Sequence, residues 1–482
     1  EKSGQGFYRR VGKGESRVIE ALDWQTLEYH PAAKPVFPSA DAARNIEDLP
    51  SRLRGLITQD DRAGRFLWKL FRDHLLYAAE RVPEISDRIV EIDRAMRWGY
   101  AHKLGPFELW DALGFEATAR RIEADGLRLP ESVQRMLAAG AKSFYTPDGC
   151  YFDLVSGAPR PLEPRPGITV LTGRTRVRTN PGASLTDLGD GVFCVEFHSK
   201  MNTIGEDTVR MLHAGLDETA KNGRAMVIAN EGSDFCAGAN LMLVLVAAQN
   251  GEWDELNDAV RRFQDVCMAL KYAPFPVVSA PFGRTLGGGV EIALHSARVQ
   301  ASAEAYMGLV ELGAGVVPAG GGCKEMLLRL KDPRRAFETV GMAKVSGSAV
   351  EARELGFLDE ADGISMNPER LIEDAKRLAL SLADGYAPPT PAKVPVGGEP
   401  VFAQLKLGAW MMHQGGYITD YDLVLAEKLA YVLAGGRGPA ASEVSEQHLL
   451  DLEREAILSL CGDARTQARM QHLLKTGKPL RN

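Results

Sequence analysis

Two glutamates and three glycine clusters in the middle of the chain have the types and spacing to act on one group together. The first cluster is Ser233-Asp234-Phe235-Cys236-Ala237-Gly238-Ala239-Asn240, just after a segment that reads as a strand. The second, Thr285-Leu286-Gly287-Gly288-Gly289-Val290-Glu291, also follows a strand and opens a helix. The third runs from Gly308-Leu309-Val310-Glu311-Leu312-Gly313 to Gly320-Gly321-Gly322. Glycine lets the backbone approach a ligand closely or take positive φ. A turn entering a helix leaves its first N–H groups without intrahelical partners, so they can face an anion. Two such turns side by side could aim two N–H groups at one oxygen, as a carbonyl needs while it becomes an enolate. Any one cluster taken alone is more simply read as a tight turn.

The carboxylates add to this. Glu291 directly follows the triple glycine and starts an apolar helix, EIALHSARV. Glu311 sits in MGLVELGAGVV. A glutamate among such neighbours is either a first-turn helix residue at the surface or a functional acid with a raised pKa. Helix capping accounts for Glu291 adequately. It accounts for Glu311 less well, because that stretch has almost no other polar side chain.

The elements that must position these groups alternate from Leu185 onward. Gly191–Phe197, Ala225–Ala229 and Phe275–Ala280 read as strands, and Thr208–Lys221 and Asn257–Leu270 as helices. Such alternation predicts a largely parallel sheet covered by helices. Around this 183–375 core, residues 1–50 are polar and proline-containing and read as an arm. Residues 51–145 read as an all-helical domain, with apolar residues at helical spacing in Phe66–Leu76 and Ile89–Trp98. Residues 146–182, containing SGAPRPLEPRPG, read as a linker. Residues 376–482 read as a helical extension, interrupted at Gly435–Pro439.

Composition narrows the classes. The 482 residues are 45% hydrophobic and 25% charged, with a net charge of -7. That is the profile of a globular protein of several domains, without a broad nucleic-acid surface. The six cysteines are scattered, with no CxxC pair, so a disulfide framework or structural zinc site is not expected, and a cytoplasmic location is. No apolar run is long enough to span a bilayer; Leu241–Ala248 is the longest candidate. The first residues, EKSGQGFYRR, contain neither a signal-peptide core nor a starting methionine, so the chain is expected to begin inside a longer polypeptide.

Residues from about 185 to 375 resemble the crotonase, or enoyl-CoA hydratase, superfamily. Its F-x-A-G-A-D pattern is matched by Phe235–Asn240, its A-x-G-G-G-x-E-L-A pattern by Thr285–Ala293, and its P-E-x-x-L-G-x-x-P-x-x-G-G pattern by Val310-Glu311-Leu312 through Pro318-Ala319-Gly320-Gly321. The order and spacing of all three make the resemblance specific. It implies an α/β core built as a ββα spiral. It implies backbone N–H groups of Ala239 and Gly288 as an oxyanion hole, Glu291 and Glu311 as the catalytic pair, and Ala237, Gly238, Asn240, Gly287 and Gly289 against the substrate. Glu311 would supply the α-proton and Glu291 would activate the water. An acyl-CoA substrate, no metal, no cofactor for hydration, and a homo-oligomer (trimer or dimer of trimers) are further implications. Asn240, Thr285 and Val310 depart from the pattern without removing a catalytic group. Leu241–Leu245 reads either as the wall of an acyl tunnel or as plain core.

The flanks extend the resemblance. Lys2-Ser3-Gly4-Gln5-Gly6-Phe7-Tyr8 resembles a signature of 3-hydroxyacyl-CoA dehydrogenases near the end of the first C-terminal unit, and Ile92–Met96 with Gly105–Asp111 resembles their repeated helical domain. This order resembles bacterial bifunctional fatty-acid oxidation proteins with the hydratase at the C-terminus, and implies a thiolase as a possible partner. No strand–GxGxxG–helix unit is found, so NAD is expected only for a dehydrogenase portion outside this chain. His102 is expected to be structural. The alternatives to a hydratase are an enoyl-CoA isomerase and a non-catalytic oligomerisation module of the dehydrogenase; both glutamates being present argues against the last.

Overall fold

The computed structural model describes residues 6–12, 18–33, 35–44, 46, 48–163 and 165–482. They form two compact units, divided between Pro164 and Arg165. Residues Lys2–Gln5 of the dehydrogenase-like signature lie outside the described residues.

The first unit is helical over most of residues 49–138, as expected, but its edges differ from expectation. The arm carries a three-stranded antiparallel sheet, Tyr8–Val11, Val18–Leu22 and Tyr29–Pro31, followed by the Pro38–Ala43 helix. These strands expose most of their side chains, so they lack the one-sided apolar alternation by which a strand is recognised. The expected helices appear as Arg62–Glu80 and Ile89–Tyr100. Residues 146–163 are not a linker. They contain a hairpin, Cys150–Asp153 paired with Ala158–Pro161, whose Tyr151 and Phe152 enter the helical core with Leu154. Phe144, just before it, is the hub of that core: its ring centroid lies 5.0 Å from those of Phe107 and Phe115 and 5.3 Å from that of Trp110. Two buried aspartates fix this junction. Asp111 accepts the N–H groups of Phe144 and Tyr145 at 2.7 and 2.8 Å. Asp93 accepts the Phe107 N–H at 2.8 Å and the Tyr145 hydroxyl at 2.6 Å. His102 neighbours His74 and Tyr100 in a small group of rings.

The second unit is built on a seven-stranded sheet ordered Gly363–Ser365, Arg298–Ser302, Val277–Ser279, Ala225–Ile228, Val192–Phe197, Ala183–Asp187, Arg176–Thr179. The first five strands run parallel and the last two pair antiparallel. The Arg176–Thr179 edge strand again falls inside the stretch expected to be a linker. Its four residues are all exposed, so its sequence lacks the apolar pattern. Val192–Phe197 is buried throughout, the continuous apolar run of a strand covered on both faces. The Glu206–Asn222 helix packs on one face and the Leu371–Ala383 helix on the other.

A second layer gives the expected spiral. Gly283–Leu286 follows Val277–Ser279 and pairs in parallel with Ala305–Gly308, which follows Arg298–Ser302. A single parallel bridge, Cys236 with Thr285, adds a third rung after Ala225–Ile228. Each turn of the spiral is thus a strand in the large sheet, a rung in the small one, then a helix. The tail is helical as expected, with Gly398–Gln414, Asp420–Leu433, Glu446–Cys461 and Ala464–Thr476. It also holds an antiparallel pair, Lys393–Val396 with Ser442–Ser445. The tail shares a core with the spiral: Leu425, Leu429, Leu449 and Leu460 pack in one cluster with Val290, Leu309 and Met326.

Candidate active site

Each of the three glycine clusters sits at the end of one rung of the small sheet, which is why residues far apart in sequence meet. Rung pairing is continued by the Leu286 N–H donating to the Cys236 carbonyl at 2.8 Å and the Gly287 N–H to the Gly308 carbonyl at 2.9 Å. The first turn is held on its outer side by a parallel bridge between Ile204 and Ala239. Ile204 donates to the Gly238 carbonyl at 2.9 Å, and Asn240 donates to the Ile204 carbonyl at 3.0 Å. In a parallel bridge of this kind the residue between those two groups, Ala239, turns its own N–H away from the pairing strand. Ala239 is exposed, and Gly288 is the first residue of the Gly288–Leu294 helix, where an amide has no intrahelical acceptor. The two turns touch: a Cβ added to Gly238, at φ +97°, would lie 3.3 Å from the Leu286 carbonyl oxygen and 3.8 Å from the Gly288 nitrogen. No side chain could be carried there without parting them.

Glu311 reaches the same point. It begins a short 3-10 turn, Glu311–Ala314, after the third rung. A Cβ on Gly287, at φ +52°, would stand 2.9 Å from Glu311 Oε1. Glu311 Oε2 is buried and has no hydrogen-bond partner among the described residues. Burial first, and the Glu291 carboxyl second, raise its pKa well above the ordinary carboxylate range.

Glu291 is buried in the first turn of its helix, which is shorter than the sequence suggested. The helix ends at Leu294, and Arg298 and Val299 already belong to the next strand. At its end the His295 ring Nδ1–H donates to the Glu291 carbonyl at 2.6 Å. The Glu291 side chain points to the Gly320–Gly322 turn: Oε1 accepts the N–H groups of Gly320 at 2.7 Å and Gly322 at 2.8 Å. Those glycines are there for contact. A Cβ on Gly320 would come within 2.6 Å of Glu291 Oε2 and 2.3 Å of the Phe263 ring. Burial pushes the Glu291 carboxyl up to about 7, while the two amides act against that rise. A carboxyl near neutrality beside a more strongly protonated one is the arrangement of a base and an acid in one pocket.

The remaining residues singled out in the sequence fall around this point. Ala237 donates to the Met201 carbonyl at 3.1 Å, and Gly289 packs on Cys236. Asn240, the departure from the family pattern, makes no side-chain cap for the Leu241–Asn250 helix. The first loop is tied instead by a pair the sequence did not reveal. Arg284 donates through Nε and Nη2 to the two oxygens of Asp234, both at 2.8 Å, and Arg284 first among several donors holds Asp234 down at about 2. In the Leu241–Asn250 helix Leu245 is core, while Met242, Leu243 and Val246 are exposed. Thr285 is buried, its hydroxyl unpaired among the described residues.

Two features were missed entirely. Glu453, from the Glu446–Cys461 helix, is a third buried carboxyl beside the same glycine turn; Oε2 accepts the Gly321 N–H at 2.7 Å and Oε1 the Lys324 N–H at 2.9 Å. Behind it, buried Lys324 and half-buried Lys271 share Glu325 and Glu446 in a charge-balanced group. A helix that far along the chain offers no local spacing that would link it to the glycines.

Residues 187–385 match the family described as Enoyl-CoA hydratase/isomerase. Over its whole length the chain is 48% identical to a "Probable 3-hydroxyacyl-CoA dehydrogenase" of Bacillus subtilis, of which it spans 62%. It is 24% identical, over 98% of its length, to a "Putative fatty acid oxidation complex trifunctional enzyme" of Rickettsia felis, spanning 60% of that protein. Over 191 residues, 38% of this chain, it is 30% identical to a "Probable enoyl-CoA hydratase" of Bacillus subtilis, covering 69% of that relative.

Proposed function

The chain belongs to the enoyl-CoA hydratase/isomerase family, and we propose that it adds water to 2-trans-enoyl-CoA to give 3-hydroxyacyl-CoA, with Glu291 and Glu311 as its catalytic residues. The observation that carries this reading is the Glu311 carboxyl, whose buried Oε2 has no hydrogen-bond partner among the described residues, beside the touching turns of Gly238 and Gly287. The thioester oxygen accepts from the amides of Ala239 and Gly288, which stabilise the enolate as it forms. Ala237, Gly238, Asn240, Gly287 and Gly289 line the approach. Glu291, the less strongly protonated carboxyl, takes a proton from water as the water oxygen bonds to the β-carbon. Glu311 gives its proton to the α-carbon. The proton left on Glu291 returns to Glu311, and both groups are restored. Side chains, amides and water suffice for this sequence of steps.

The wider setting is part of the same proposal. The chain spans about 60% of the length of the two long relatives it matches throughout. We place it as the hydratase part of a fatty-acid β-oxidation polypeptide whose other portion binds NAD and oxidises the 3-hydroxyacyl-CoA product. It would work in the cytoplasm as a trimer or dimer of trimers, with a thiolase as a possible partner. Among the described residues no helix is long and apolar enough to cross a membrane. The deciding experiment follows the absorbance of the conjugated thioester of crotonyl-CoA. Its loss with purified protein is expected, and folded protein that leaves it unchanged at high concentration would end the hydratase reading. Conversion of a 3-enoyl-CoA without hydration would favour the isomerase instead.

A further inference from the structure

The Gly320–Gly322 turn presents its amides alternately to two buried carboxyls. Gly320 and Gly322 donate to Glu291, while Gly321 and Lys324 donate to Glu453. Neither set can move without rotating the peptide planes of the other. The Glu446–Cys461 helix that supplies Glu453 is fastened to the turn a second time. Gln264 donates through Nε2 to the Ala319 carbonyl and to the Leu450 carbonyl, both at 2.8 Å. A third tie runs from the Lys324 ammonium to Glu446 at 2.8 Å. His295 fills the space behind Gly321, where an added Cβ would meet its ring at 2.6 Å.

We propose that Glu453, from the C-terminal tail, is a positioning residue for hydration: by holding the amides of Gly321 and Lys324 it sets the turn whose other two amides aim the Glu291 carboxyl. The inference rests on the hydratase reading above. Glu453 does not touch the thioester in this scheme. It acts through the turn, and a misplacement of about 1 Å in a catalytic group is enough to cost roughly a hundredfold in rate. It also acts through charge. The ionisable groups around it are Glu291, Glu311, Lys324, Cys323 and Cys267. Burial and the Glu291 carboxyl raise Glu453, and Glu453 in turn adds to the rise of Glu311. The three carboxyls therefore titrate as a set.

The test is steady-state hydration of crotonyl-CoA by the full chain carrying Glu453→Gln. Glutamine keeps one acceptor but sets its NH2 against a backbone N–H, and it removes the charge. The expected result is a kcat lowered about 10- to 100-fold with KM changed less than about threefold. The alkaline limb of the pH profile, where Glu311 loses its proton, should move to lower pH, because the Glu453 carboxylate that helps to raise Glu311 is gone. A purely structural cap would lower the melting temperature and leave that limb in place. A kcat within about twofold of wild type, or an unmoved limb, overturns the proposal. Should Glu453→Gln fail to fold, Glu453→Asp decides: it retains the charge but withdraws it by one methylene. Lowered kcat with a wild-type limb supports the proposal, and wild-type kcat overturns it. Wild-type protein without hydration would instead refute the hydratase reading, so the two failures are distinct.

Discussion

In the proposed hydration, replacing Glu311 by glutamine removes the proton that the α-carbon is to receive and changes little else. Glu311 Oε2 has no hydrogen-bond donor among the described residues, so substituting NH2 for that oxygen breaks no protein hydrogen bond. Removing a buried ionisable group also removes the cost of charging it, so stability should shift by less than about 1 kcal/mol. The rate should not be spared. Loss of a positioned general acid costs roughly 10²–10⁴-fold, or about 3–5.5 kcal/mol of barrier. KM should hold, because no interaction with the CoA portion is altered. The assay is hydration of crotonyl-CoA, paired with exchange of the product's α-proton in deuterated water. Glu311→Gln should suppress both. Glu291→Gln can keep Oε1 as acceptor for Gly320 and Gly322; it should lose hydration by a similar factor while retaining some exchange. Near-normal hydration by either variant would show that a structural carboxylate has been assigned to catalysis. Fast exchange in Glu311→Gln, with none in Glu291→Gln, would show that the roles are reversed.

Further outcomes follow from the same geometry. Because Glu291 lies at about 7 and must be ionised to act as base, kcat/KM should rise with pH through an acid limb near that value; a flat profile between about pH 5.5 and 8 would contradict the assignment. Gly287→Ala should lower hydration by roughly 10²-fold or more and cost roughly 1–3 kcal/mol of stability, since its Cβ would meet Glu311 at positive φ; a fully active alanine variant would show that the turns need not touch. Burial lifts Asp93 to about 7 and Asp111 to about 6 from an ordinary value of 3.8. The folded state then binds more protons than the unfolded one, so their contribution is full below the ordinary value and is lost as pH rises through about 6 to 7. The melting temperature should therefore fall between about pH 5.5 and 8, and calorimetry showing a steady rise would refute that linkage. Ending the chain after residue 385, where the family match stops, should give insoluble or unfolded protein because Leu425, Leu429 and Leu449 leave a shared core; a soluble, cooperatively melting product would show the tail to be dispensable.

Buried elements were legible in the sequence and exposed ones were not. Val192–Phe197 and Ala225–Ile228 lie in the middle of the sheet, so every residue is apolar or packed and the run declares itself. Arg176–Thr179 is an edge strand with no buried residue, and Tyr8–Val11 is exposed over most of its length. Their pairing comes from backbone hydrogen bonds, which the side chains do not advertise. The hairpin at Cys150–Pro161 shows the opposite failure. Gly157, Pro159 and Pro161 read as breakers, yet glycine provides the turn at φ +72° and the prolines lie on a two-stranded edge where a missing N–H is tolerated. Tyr151 and Phe152 were the signal that this segment belongs to a core.

The site divides along a different line. Gly238, Gly287, Glu291 and Glu311 were legible because each is bound to its own local geometry: a glycine where two turns touch, a glutamate in the first turn after a rung. Their meeting depends on the small parallel sheet, which sets rungs beginning near 236, 283 and 305 side by side. Glu453 and Gln264 obey no such rule. Each lies on an amphipathic helix whose pattern declares only which face is buried, and a buried glutamate on such a face reads as a surface residue out of register. What identifies Glu453 is an accounting of backbone donors. The turn at Gly320–Gly322 opens a helix and therefore has several N–H groups with no intrahelical acceptor. Glu291 accepts only two of them, so a buried turn of this kind requires a second acceptor from elsewhere in the chain. The sequence states that requirement, and only the packing of the tail against the spiral says which residue meets it.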